Sequence, residues 1–200
     1  SEMALLLARM LVDKGVYEPA DAFHEYEYWL DSDPFDCGFT IRAALEGDLN
    51  YDSQANGAMM RISPLGIFGA GYSLTEVANW ARQDALLTHP NPVCLDANAI
   101  FAMAVAEAVN RETSPEALYR NVCEWGGDMD VESSLATAIS RAADGRPADY
   151  ISSAGWVLVA FQNALHQLLH ATNLEDGVVD TVMQGGDTDT NAAICGALLG

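Results

Sequence analysis

Residues 185–193 read Gly-Gly-Asp-Thr-Asp-Thr-Asn-Ala-Ala, a short span that concentrates hard oxygen donors. The two glycines let the backbone turn sharply, and two carboxylates and two hydroxyls then crowd a helix start. Asp187 and Asp189 can each reach a cation, and Thr190 can add a hydroxyl oxygen. Such a donor set suits magnesium or calcium better than zinc. It is not an EF-hand loop, because the glycine and distal glutamate of that loop are missing. The same residues also have an ordinary use, since Asp and Thr are favoured at N-caps and in first turns. Spacing alone leaves both uses open.

Charge sharpens the question. With 29 acidic and 9 basic residues the net charge is -20, a surface that repels phosphate backbones and disfavours nucleic acid as a partner. An anionic small ligand would then need a cation in its site, and a bound divalent metal is the economical one. Other chemistry-bearing residues have plainer readings. His166 and His170 lie four apart and share a helix face with no carboxylate beside them, so they read as polar ends of a packed helix. Arg61 reads as half of a structural ion pair, with phosphate contact as the alternative. The cysteines at 37, 94, 123 and 195 form no C-x-x-C pair and read as small buried side chains in a reducing compartment, which places the protein in the cytoplasm.

The elements that must position these residues are helical throughout. Apolar spacing and breakers predict helices over 1–14, 19–31, 38–46, 74–87, 93–110, 115–125, 131–143, 153–172 and 175–183, and a last one entered through Asp187–Thr190. Ser73 and Glu76 form a capping-box pattern, and His89-Pro90-Asn91-Pro92 is a rigid connection. Residues 47–55 read as a polar loop, and the glycines of 56–70 as sites of close backbone packing. The segment 153–172 is expected to be the longest apolar helix. No alternating β pattern or internal repeat is present, and half the residues are hydrophobic. An all-α, multi-helix domain over 1–200 follows. No uninterrupted apolar run approaches the roughly 20 residues that span a bilayer, so no membrane partner is expected. Both ends read as cut, because each is apolar where natural termini are usually polar.

The cluster at 185–193 resembles the C-terminal metal motif of the ADP-ribosylglycohydrolases. Further likenesses follow in the family's order along the chain. Ser1-Glu2-Met3-Ala4-Leu5 looks like the helix after the family's Thr-Asp-Asp-Thr/Ser metal motif, with Ser1 at its last hydroxyl position. Pro34-Phe35-Asp36-Cys37-Gly38 resembles a Pro-x-Asp-x-Gly segment, Asn56-Gly57-Ala58-Met59-Met60-Arg61 an Asn-Gly-x-x-Met-Arg segment, and Thr88-His89-Pro90 a Thr-His segment.

The resemblance implies an orthogonal all-α fold with two magnesium ions (manganese as an alternative) at the base of a cleft. By matching position Asp187, Asp189 and Thr190 are implied metal ligands, and Asp36 the acidic residue near the reacting ribose. Asn56, Gly57 and Met60 are implied to line or shape the cleft, with His89 nearby and Trp156 against the ligand. The implied activity is magnesium-dependent hydrolysis of the glycosidic bond between ADP-ribose and an acceptor, with a protein arginine as the first candidate. A non-cleaving ADP-ribose-binding module, a hydrolase of a small ADP-ribosylated metabolite, and a structural helical protein are the alternatives. Oligomeric state is open.

Overall fold

The computed structural model describes residues 2–111 and 113–200, so the reading of Ser1 lies outside the described residues. Local sequence rules set most helix starts. Ser73 opens α5 (Leu74–Leu86) with a complete capping box: its hydroxyl accepts from the Glu76 N–H, while the Glu76 carboxylate accepts from the Ser73 N–H. Ser114 accepts from the Ala117 N–H to open α7 (Pro115–Asp128), with Pro115 in the first turn. Asn173 does the same for α10 (Leu174–Met183) through the Asp176 N–H. The remaining helices are α1 (Glu2–Lys14), α2 (Pro19–Asp31), α3 (Phe39–Leu45), α4 (Ser63–Gly69), α6 (Pro92–Arg111), α8 (Ser133–Arg141), α9 (Val157–His170) and α11 (Thr188–Leu199). A 3-10 turn at Met59–Arg61 precedes α4.

The architecture is all-α. Its extended element among the described residues is an isolated antiparallel bridge between Ala55 and Trp156. One hydrophobic cluster draws buried side chains from α1 through α9 and from α11. Helix α6 runs through its middle, packed by α4, α5, α7 and α9, while α11 lies against α9 and α10. The close packing expected of the 56–70 glycines is present. A Cβ on Gly66 would sit 2.7 Å from Val105, and one on Gly69 would sit 2.6 Å from Val77, so α4 crosses its neighbours at a spacing that larger residues could not match.

Several expectations are corrected. The longest apolar helix is α6, not the 153–172 segment, because Gly155 adopts φ +79° and Trp156 is extended, which delays α9 until Val157. Pro92–Asn110 is long and apolar enough to cross a bilayer by length and composition, but 72% of it is buried inside the protein. Helix α7 continues past residue 125 through Gly126 and Gly127, because Gly126 packs closely on Ile139. Of the cysteines, Cys94 and Cys195 are buried, but Cys37 is half-buried and Cys123 is exposed. His166 and His170 bond the carbonyls of Ala142 and Ala143 just past α8. They satisfy acceptors left open at a helix end, as the packed-helix reading requires.

Candidate active site

A cleft of about 530 Å³ opens where six stretches of chain meet: the start of α1, the end of α2 with the loop into α3, residues 55–60, His89, Gly155, and the start of α11. That volume lies in the range of small-molecule sites. The cleft gathers Asp36, Asn56, Gly57, Met60, His89, Asp187, Asp189 and Thr190. These residues were singled out from four separate segments of the sequence. Trp156 stands outside the lining. Its indole N–H donates to Gln54 Oε1 at 2.8 Å, and it borders a separate shallow hollow that shares Ala55 and Gly155 with the cleft.

The start of α11 owes its shape to the paired glycines. Gly185 and Gly186 take φ +78° and +72°, backbone that other residues adopt only with strain. A Cβ on Gly186 would fall 1.9 Å from the Tyr150 carbonyl oxygen. Asp187 follows at the N-cap position, yet its carboxylate makes no capping bond. It accepts instead from Asn56 Nδ2 at 2.8 Å. Asp189 Oδ1 accepts the backbone N–H of Thr190 at 2.9 Å, a local bond typical of a first turn.

Asn56 is held from three sides. Its N–H donates to the Gly155 carbonyl at 2.9 Å, and the Val157 N–H donates to the Gln54 carbonyl at 2.9 Å. These bonds tie residues 54–56 to the entry of α9. The Asn56 side-chain amide also reaches Asn191 Oδ1 on α11. Asp36 lies on the exposed loop at the rim, after the fully exposed Phe35.

Beneath the cleft lies a buried polar group that contains Arg61 and explains why it does not face a ligand. Arg61 Nε donates to Asp84 Oδ1 at 2.9 Å and Nη2 to the Asp84 carbonyl at 2.8 Å, with both side chains fully buried. Tyr26 donates to Asp84 Oδ2 at 2.6 Å, and the Arg61 guanidinium sits 4.3 Å from the centre of the Tyr26 ring. Burial opposes the Arg61 charge, but Asp84 and Tyr26 outweigh it and raise its pKa. His89 is buried beside this group. Burial first, then the nearby Arg61 charge, push its pKa down to about 3, so the ring is neutral at ordinary pH.

Glu2 and Trp29 were missed. Both line the cleft, and Trp29 Nε1 donates to Glu2 Oε2 at 2.7 Å. Neither belongs to a short motif, and their meeting depends on how α1 packs on α2. With Asp36, Asp187 and Asp189, Glu2 brings the cleft carboxylates to four, and no Lys or Arg is among the described lining residues. This wall suits a cation, and Asp187, Asp189 and Thr190 offer hard oxygens facing it. No three His, Cys, Asp or Glu side chains among the described residues converge as a ready-made cage, so these residues do not by themselves complete a coordination sphere.

The model of the ADP-ribosylglycohydrolase family matches residues 1–200. The chain is 26% identical over 213 residues to the ADP-ribosyl-[dinitrogen reductase] glycohydrolase of Rhodospirillum rubrum, covering all of this chain and 66% of that protein. It is 26% identical over 231 residues to the ADP-ribosylarginine hydrolase Tri1 of Pseudomonas putida, again over the whole chain and 57% of the relative. A solved structure described as an ADP-ribosylglycohydrolase-related protein complex superposes with a TM-score of 0.81 at 26% identity, covering 98% of this chain and 68% of that one. The chain thus spans between 57% and 68% of the length of these proteins. With the family model matching along its full length, this chain belongs to the ADP-ribosylglycohydrolase family.

Proposed function

We propose that this protein hydrolyses the glycosidic bond at the anomeric carbon of ADP-ribose in an ADP-ribosylated partner, with magnesium held by Asp187, Asp189 and Thr190. The observation that carries the reading is the state of Asp187. It occupies an N-cap position but does not cap, and its carboxylate is turned to the cleft and steadied by Asn56. A merely structural aspartate at that position would accept a bond from its own helix.

The chemistry follows from the wall. Four carboxylates repel a diphosphate, so binding needs an intervening cation. Magnesium bound there would offset that charge and hold ribose hydroxyls in a reactive orientation. The protein's own residues supply the rest. Asp36 at the rim accepts a proton from the attacking water as its oxygen bonds the anomeric carbon. The bond from that carbon to the acceptor breaks through an oxocarbenium-like state, and the acceptor leaves with the bonding electron pair and takes up, through solvent, the proton that Asp36 accepted from water. Asn56 holds Asp187 in place, while Gly57 and Met60 shape the floor. Trp156 steadies the segment before Asn56 through its bond to Gln54. The likeness to an ADP-ribosylarginine hydrolase supports a protein arginine as the acceptor. Manganese has compatible chemistry at these oxygens.

A second reading, a module that holds ADP-ribose without cleaving it, is favoured by one observation: no three candidate ligands converge among the described residues. Calorimetric titration of ADP-ribose with and without magnesium, beside the Asp187→Ala/Asp189→Ala variant, separates the cases. Magnesium-dependent binding lost in the variant, together with release of arginine from ADP-ribosylarginine, is the expected result. Binding without release identifies the module. No binding by the folded chain overturns both.

A further inference from the structure

The cleft wall contains a polar atom that the described protein leaves without a partner. His89 Nε2 is buried and unpaired, and the ring borders the cleft directly beside Gly57. Burying such an atom without a partner is costly, which marks it as a place where a ligand completes the hydrogen bonding. What the atom can do depends on whether it carries the ring proton.

The other ring nitrogen answers that question. Arg61 Nη1 donates to Thr88 Oγ1 at 2.9 Å, and Thr88 Oγ1 lies 2.8 Å from His89 Nδ1. Arginine has donors only, so the Thr88 oxygen accepts in the first contact. Its single hydroxyl hydrogen is then free for the second. Were Nδ1 protonated instead, two donors would converge on the Thr88 oxygen and its own hydrogen would be buried without a described acceptor. The guanidinium charge also favours a lone pair over an N–H on the side of the ring that faces it. Asp84 fixes the start of this chain by holding Arg61 through Nε and Nη2.

We propose that Arg61 and Thr88 are positioning residues that keep the His89 proton on Nε2, so that the imidazole offers a neutral N–H donor to an acceptor oxygen of the bound ligand. The ligand half of this inference rests on the ADP-ribose reading above; the tautomer does not. The strong burial that holds the ring neutral supports the arrangement. His89 is thereby a recognition group and not a general base: Nδ1 is engaged by Thr88, and Nε2 has no lone pair to give. Gly57 is part of the device. A Cβ there would come within 3.2 Å of Nε2 and 2.9 Å of Ile41, so a side chain would crowd the donor.

The test is long-range nitrogen–proton correlation NMR of the His89 ring near neutral pH, on the full chain and on Thr88→Val and Thr88→Ser, with and without ADP-ribose and magnesium. Expected are a protonated Nε2 in the native chain and in Thr88→Ser, and a mixed or reversed tautomer in Thr88→Val. A native ring protonated on Nδ1, or a Thr88→Val ring unchanged from native, overturns the relay. With ligand, the Nε2 proton shifts downfield in the native chain, and Thr88→Val binds ADP-ribose roughly tenfold more weakly, with Thr88→Ser restoring affinity. Binding that leaves the Nε2 proton unmoved overturns the recognition role. If the ring has the expected tautomer but ADP-ribose does not bind, the hydrolase reading fails and the relay stands.

Discussion

Asn56 Nδ2 donates to Asp187 Oδ2 across 2.8 Å, joining two segments 131 residues apart. Asn56 is fixed by backbone bonds to the entry of α9, so its amide works as a rigid arm that aims the carboxylate. Groups that orient a metal ligand in this way typically contribute 10–100-fold in affinity. Asn56→Ala should weaken magnesium binding by about that factor with little loss of helicity. Calorimetry of magnesium into the variant and the native chain decides, and unchanged affinity would detach Asn56 from the metal site.

Gly186 should tolerate no side chain. A Cβ would overlap the Tyr150 carbonyl at 1.9 Å on a backbone with φ +72°. Gly186→Ala should lower unfolding free energy by more than about 2 kcal/mol, since both overlap and left-handed strain oppose it. Gly127, within α7 and with nothing near its missing Cβ, is the control. Gly127→Ala should stabilise by roughly 0.5–1 kcal/mol through the helix preference of alanine. Urea unfolding of both variants measures the contrast.

The Arg61–Asp84 pair is fully buried, and Tyr17 and Tyr26 also donate to the Asp84 carboxylate. Arg61→Met leaves that carboxylate without its cation and should cost about 3–5 kcal/mol. The double variant Arg61→Met/Asp84→Leu should recover part of the loss, because no isolated charge then remains buried. A double-mutant cycle by chemical denaturation gives the coupling, and a double variant as unstable as the sum of the singles would contradict it.

Acid should destabilise the fold through His89. Its pKa falls from 6.5 to about 3 on folding. Between these values the unfolded chain binds the proton and the folded chain does not, so stability rises with pH across that window. The contribution is complete above about pH 6.5, and it is lost as pH falls toward 3. His89→Gln should flatten the slope of unfolding free energy between about pH 6.5 and 4 by an amount on the order of a few kcal/mol. Equal slopes in the two proteins would show that His89 is not protonated on unfolding in this range.

The chain's helical content, the Ser73–Glu76 capping box and the breaks at Gly15, Pro92 and Pro115 were legible because they depend on contacts within one turn of backbone. The acidic cluster at 187–189 was legible for the same reason. Spacing did not settle whether Asp187 caps its helix or faces a cleft, since both uses share one local pattern. The tertiary structure decided it by bringing Asn56 to the carboxylate. Packing of α1 on α2 likewise placed Glu2 and Trp29 in the wall, and the turn at Gly155 moved Trp156 off it. The direction of the His89 proton needed most from the fold, because it depends on Arg61, Asp84 and Thr88 meeting in a dry interior. Short-range rules choose helices and caps, but which donor meets which acceptor across the core follows from how those helices pack.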